Sequence, residues 1–319
     1  MVVISLKWEI SPLNLILKYP WKISRNECES KQNLLIKLDG VSLGEVAPNT
    51  RFSETPESVV QSFNDIVDFL PKEKVNLNNF EKVLESFKVE NSLKNGLYMA
   101  YYNFLNEEDN KSVETSYSIP ILELGEYQTF FIQNELSRFK KIKLKVNDKN
   151  TINRVHELRK FFDGDIFLDF NESLKSAPSE DFIQQLVDLG VSLLEQPFKS
   201  SEKHLYQELK SRCEVPIFLD ESIESQTISE EYCELCHGVN LKLMKSGGLH
   251  IAKRQLKEAK DLGLSVMIGC MIESSLGISH AMELAEEADL FDLDGHLFLK
   301  NNPFSIVKEE KGILRRVRP

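Results

Sequence analysis

The sequence predicts an α/β fold, a (β/α)7β TIM-like barrel carrying an N-terminal α+β capping domain. Short apolar runs recur about every 25 residues between 116 and 295. Helix-period stretches separate them, the alternation expected of a closed β/α barrel. The first 110 or so residues read differently, strand-like and then helical. An open doubly wound sheet would need a glycine-rich phosphate turn after its first strand, and none is present. The expected division is a cap over 1–112, a barrel over 113–296 carrying the chemistry, and a segment over 297–319 that returns to the cap.

In the cap, residues 2–10, 33–38 and 42–46 read as an antiparallel meander, with Asp39-Gly40 as a hairpin turn. Helical patterns follow at 55–70, 78–88 and 92–105. The barrel strands are SYSIPI (116–121), KIKLKV (141–146), IFLDF (166–170), VSLLE (191–195), PIFLD (216–220), VNLKLM (239–244), SVMIGC (265–270) and LFDLDG (290–295). Each is nearly continuously hydrophobic, as strands buried on both faces must be. Helices are expected at 128–139, 151–162, 179–189, 202–211, 249–262 and 276–288. Ser179 is the expected N-cap of the third, Gly190 its stop. The tail alternates again around Lys311-Gly312.

Composition narrows the function. Of 319 residues, 50 are acidic and 39 basic, for a formal charge of −11. A negative field opposes phosphate backbones and anionic lipid, so neither nucleic acid nor a membrane is an expected partner. The start, MVVISLKWEI, has no basic n-region and meets Glu9 early, so no secretory signal is read and a cytoplasmic location is expected. Five cysteines suit a reducing compartment. Cys233, Cys236 and His237 spell the haem-attachment spacing, but a packed helix holding Tyr232 and Leu235 accounts for them better.

Chemistry in a barrel gathers at the C-terminal ends of the strands. Charged residues stand there in otherwise apolar runs: Lys143 and Lys145, Asp169, Glu195, Asp220-Glu221, Lys242, and Asp292 with Asp294. Buried charge is costly unless paired or metal-bound. Asp169, Glu195 and Asp220 come from three consecutive strands. A shared cation or ion pairs with the lysines would balance them. With no His or Cys among them, Mg²⁺ suits the set better than Zn²⁺. The lysines of the second and sixth strands face one another across the barrel mouth, where two amines can exchange protons with one carbon.

The motifs KIKLKV, LDFNES, LLEQP, LDES, NLKLMKSGG, IGCMIES and FDLDG together resemble the enolase superfamily, in its muconate-lactonizing-enzyme-like branch, and most nearly its dipeptide epimerases. The resemblance implies Lys145 and Lys242 as the acid/base pair, with Lys245 structural. It implies Asp169, Glu195 and Asp220 as ligands of one Mg²⁺ per subunit. It puts Ser118, Lys143 and the Cys270-Met271-Ile272 turn at the substrate, and gives Asp292 and Asp294 the α-ammonium of a dipeptide. A small-molecule dipeptide is then the partner, and a homo-oligomer stays open. The implied reaction inverts an α-carbon through an enediolate.

The acidic pair separates this chain from o-succinylbenzoate synthases, which share the lysines and ligands. An o-succinylbenzoate synthase or cycloisomerase-type enzyme of the superfamily, and an inactive barrel acting as a binding protein, are the alternatives. Family members that act on Ala-Glu can carry an arginine in the N-terminal loop. Here YPWKISRNE places Asn26 at that position, with Arg25 one residue off and Lys22 nearby. Gly247-Gly248 reads as tight packing, not phosphate binding. His296 reads as a loop residue, and Ser222 and Cys270 lack the neighbouring base a nucleophile needs.

Overall fold

The computed structural model describes residues 5–22, 27–106, 110–147 and 150–317. Residues 2–4, Arg25 and Asn26 lie outside the described residues.

The cap begins with β1 (Trp8–Lys22), β2 (Glu27–Leu38) and β3 (Ser42–Val46), an antiparallel sheet in that order. The first two strands run well past the expected segments. Pro12 and Pro20 are tolerated within β1 because it is the sheet edge, where a missing N–H breaks no ladder. The register shifts between Ile16 and Trp21, and this irregularity lets Leu17 bridge to Leu299 beside the barrel mouth. Asp39 and Gly40 make the β2–β3 turn with φ of 52° and 69°, the left-handed pair expected of their sequence.

Helices Pro56–Ile66, Leu77–Ser86 and Asn91–Leu105 follow. The last packs on β3 with backbone touching backbone. A side chain at Gly44 would collide with the Gly96 carbonyl, so only glycine fits.

The barrel strands are introduced by β4 (Ser112–Glu114), which stands outside the barrel. Then come β5 (Tyr117–Ile119), β6 (Lys141–Lys145), β7 (Asp165–Asp169), β8 (Val191–Glu195), β9 (Ile217–Leu219), β10 (Gly238–Lys242), β11 (Ser265–Gly269) and β12 (Leu290–Asp292). These eight form one parallel sheet in sequence order. Ser116 N donates to the Phe291 carbonyl at 3.0 Å, drawing the two ends of the sheet together. Helices alternate with the strands close to the expected positions. Ser179 does accept from Phe182 N, and Gly190 is left-handed. Tyr232 and Leu235 are buried on the helix Glu231–Leu235, as packing at the Cys-Cys-His segment required.

The tail divides. Phe304 and Ile306 pack with Leu35 and Met99 of the cap. Beyond them, β13 (Val307–Glu310) and β14 (Ile313–Arg316) form a hairpin that pairs with β4.

Strand alternation builds the floor of the site. Phe167, Leu193, Phe218 and Met267 form a separate apolar cluster in the barrel. Asp169, Glu195 and Asp220 follow the first three by two residues, on the same strand face one step nearer the mouth. The charged layer therefore rests on an apolar plug of low dielectric.

Candidate active site

A cavity of about 540 Å³ opens between the cap and the C-terminal ends of the barrel strands, within the size of a small-molecule site. Ser118, Lys145, Asp220, Lys242, Cys270, Met271, Ile272, Asp292 and Asp294 all line it. Lys145 ends the second barrel strand and Lys242 the sixth of eight, so they approach from opposite sides. Lys143, Asp169 and Glu195 are not among its lining residues. They lie beneath it, at 1 %, 0 % and 0 % exposure.

The amines and carboxylates interlock. Lys145 Nζ donates to Asp169 Oδ2 at 2.5 Å. Lys242 Nζ lies 2.7 Å from one Asp220 oxygen and Lys245 Nζ 2.5 Å from the other. Lys143 Nζ sits 2.5 Å from Asp292 Oδ2 and 2.6 Å from Glu195 Oε2, neither contact with hydrogen-bond alignment. Burial opposes the charged form of Lys242, but Asp220 and Glu195 outweigh it and hold the pKa above the ordinary lysine value. Burial likewise acts against Asp220, and its lysine neighbours keep it well below the usual carboxylate range.

Glu195 is different. Burial, and then the charges of Asp169 and Asp220, push it up to about 7 against the pull of Lys143. Its Oε2 has no aligned donor. A carboxylate so placed is under-compensated, and the chemistry that relieves it is a further cation. Asp169 and Glu195 are register partners across β7 and β8, and Asp220 directly follows the end of the next strand. All three donors are oxygens, which fits Mg²⁺. As the side chains stand, they turn to lysines. Among the described residues no three His, Cys, Asp or Glu side chains are gathered as a metal site.

The acidic pair closes the other side. Ser116 Oγ donates to Asp292 Oδ1 at 2.6 Å, and Ser118 N to Asp294 Oδ2 at 2.5 Å. Burial opposes ionisation of Asp292, yet Lys143 and Ser116 keep its pKa low. Burial and the Asp292 charge raise Asp294 to about 7. One carboxylate is thus charged and its neighbour is poised to ionise when a cation arrives.

The turns after β7 and β8 hold left-handed backbone at Asn171, Glu172 and Gln196, with φ of 44°, 66° and 40°. Such conformations cost about 1–3 kcal/mol each and cluster where a fold positions function. Gln196 repays part of this through Oε1, which accepts from Asp220 N at 2.8 Å. Asn240 Nδ2 donates to Glu195 Oε1 at 3.0 Å.

Sequence reasoning missed the cap's share of the wall. Trp21, Lys31, Asn33, Arg51 and Phe52 all line the cavity. Their one sequence signal is Asn33, a polar residue heading the apolar run NLLIKL. His296 does not line the cavity. Ser222 Oγ accepts from Gln196. Gly247 and Gly248 have φ of 92° and 136° and join two helices beside Asn91, consistent with packing.

Residues 132–301 match the family of enolase C-terminal domain-like proteins. An L-Ala-D/L-amino acid epimerase from a Maribacter species is 30 % identical over 313 residues, covering 90 % of this chain and 89 % of the relative. A substrate-liganded L-Ala-D/L-Glu epimerase from Bacillus subtilis superposes with a TM-score of 0.85 at 22 % identity, over 98 % of this chain and 96 % of that one. A dipeptide epimerase from Enterococcus faecalis, complexed with Mg and L-Leu-L-Tyr, superposes at 0.84 and 22 % identity, over 98 % and 97 %. These two superpositions show a shared fold.

Proposed function

The chain belongs to the enolase C-terminal domain-like family, and from that premise we propose that it is an Mg²⁺-dependent dipeptide epimerase using two lysine bases. It is an isomerase, as its curated relatives are. The observation that carries the reading is the opposition of Lys145 and Lys242 across one cavity that Asp292 and Asp294 also line.

Asp169, Glu195 and Asp220 would hold the ion. Its chemistry when bound is to stabilise negative charge developing on a substrate carboxylate. Asp292 and Asp294 take the α-ammonium, the natural complement to paired carboxylates. That fixes the second residue's α-carbon between the amines. The neutral lysine on one face removes the α-proton, giving an enediolate, and the ammonium on the other returns a proton to the opposite face. The centre inverts, and because either lysine can begin, the reaction runs in both directions. Lys143 holds Asp292 charged from below and only partly offsets the burial of Glu195. The five free thiols support a reducing, cytoplasmic setting for this enzyme.

The test is incubation of the Mg²⁺-loaded protein with L-Xaa-L-Xaa dipeptides in D₂O. Deuterium enters the α-position of the second residue together with formation of the L,D product. Dipeptides that stay unexchanged across the library reject the reading.

A further inference from the structure

Asn33 stands on β2, in the cap wall of the cavity, and is only 1 % exposed. Its Nδ2 donates to Glu45 Oε1 at 2.8 Å and to the Ile272 carbonyl at 2.9 Å. A backbone carbonyl can only accept, so the amide nitrogen must face Ile272, and this contact fixes the orientation of the amide. Both N–H bonds are then used. What remains is Oδ1, which no donor among the described residues meets. Oδ1 is also absent from the polar atoms sealed off without a partner. It is an acceptor left to the cavity.

The support behind Asn33 is rigid. Glu45, fully buried on β3, accepts from Ser274 N at 3.0 Å, Ser274 Oγ at 2.5 Å and Gly277 N at 3.2 Å. These donors open the helix Ser275–Ala281, just after the Cys270–Ile272 turn that lines the site. Glu45 is therefore a positioning residue: it ties cap, turn and helix into one unit and aims Asn33.

We propose that Asn33 Oδ1 binds the peptide N–H of the dipeptide. This rests on the epimerase reading. With the α-ammonium at Asp292 and Asp294, the peptide bond supplies the backbone's other N–H. An acceptor-only group in the wall selects a donor there and disfavours an oxygen, because two facing acceptors leave a desolvated polar atom without a partner.

The experiment compares L-Ala-L-Glu and L-Ala-L-Phe with their depsipeptide counterparts, in which an ester oxygen replaces the peptide N–H. Binding is read as competitive inhibition constants on wild-type protein with Mg²⁺. Wild type is expected to favour the amide by about tenfold, the size of one such hydrogen bond. In Asn33→Ala and Asn33→Ser the amide-to-ester ratio falls to near one. A ratio near one in wild type overturns the proposal and needs no variant. A tenfold ratio that persists in both variants overturns it too. If wild type binds neither dipeptide and exchanges none of the library, the epimerase reading falls with it. If wild type epimerises a dipeptide but shows no ratio, only the role of Asn33 falls.

Discussion

Lys242 and Gly269 are register partners across the β10–β11 ladder, and the glycine leaves the room that the lysine stem occupies. A Cβ at Gly269 would come within 3.0 Å of Lys242 Cε and 2.5 Å of Asn240 Oδ1. Asn240 in turn donates to Glu195. One methyl group therefore presses on a proposed base and on the partner of a candidate metal ligand. Gly269→Ala is expected to lower kcat at least tenfold, with a stability loss of about 1–3 kcal/mol from overpacking. Steady-state kinetics beside a denaturant titration check this, and wild-type kcat in a destabilised variant would contradict it.

The two lysines make separable predictions because they stand on opposite faces. Lys145→Ala and Lys242→Ala are each expected to lower epimerisation by about 10²–10⁴, the usual contribution of a positioned acid/base group. Each variant keeps the base for one face, so each should still exchange the α-proton of one epimer with solvent and not the other. NMR in D₂O, starting separately from the L,L and L,D dipeptides, reads this directly. Exchange of both epimers by either variant contradicts a two-base arrangement.

The barrel was legible because its strands are buried on both faces, and the chemistry because charges interrupt runs such as KIKLKV and IFLDF at their ends. The full length of the first cap hairpin was not: β1 and β2 run past the expected 2–10 and 33–38, and Pro12 and Pro20 fit because β1 is a sheet edge. The role of Asn33 was out of reach for another reason. Its contact with Ile272 spans 239 residues, and no local pattern encodes such a pairing. The same limit applied to Lys143. Its spacing from Lys145 put it on the right face, but its depth and its hold on Asp292 and Glu195 depend on the length of a side chain running beneath the cavity.

Mg²⁺ should raise the thermal midpoint of wild-type protein, since a ligand that binds only the folded state stabilises it by mass action. Asp169→Asn, Glu195→Gln and Asp220→Asn should each shrink the rise, because each removes one charged oxygen donor. Asp220→Asn should also cost stability without metal, for it leaves Lys242 and Lys245 without their shared counter-charge. Scanning fluorimetry with and without Mg²⁺ separates the two effects. A wild-type midpoint that Mg²⁺ does not move rejects this donor set.

Glu273 supplies a pH prediction with a definite sign. Its Oε1 accepts from Met271 N at 2.8 Å, next to the turn that lines the cavity. Burial, and then the neighbouring charge of Glu45, raise its pKa to about 8 against the Met271 N–H bond and Lys242. In the unfolded chain a glutamate titrates near ~4.3. Between these values the folded protein holds a proton that the unfolded chain has lost. The contribution of Glu273 is therefore complete below about pH 4, falls as pH rises, and levels off above about 8. Glu273→Gln keeps the shape of the neutral acid and does not titrate. Relative to wild type, the variant should gain stability steadily from pH 5 to pH 8 and no further beyond. Urea titrations across that range measure the difference. A difference that stays flat with pH means that Glu273 is charged in the folded protein.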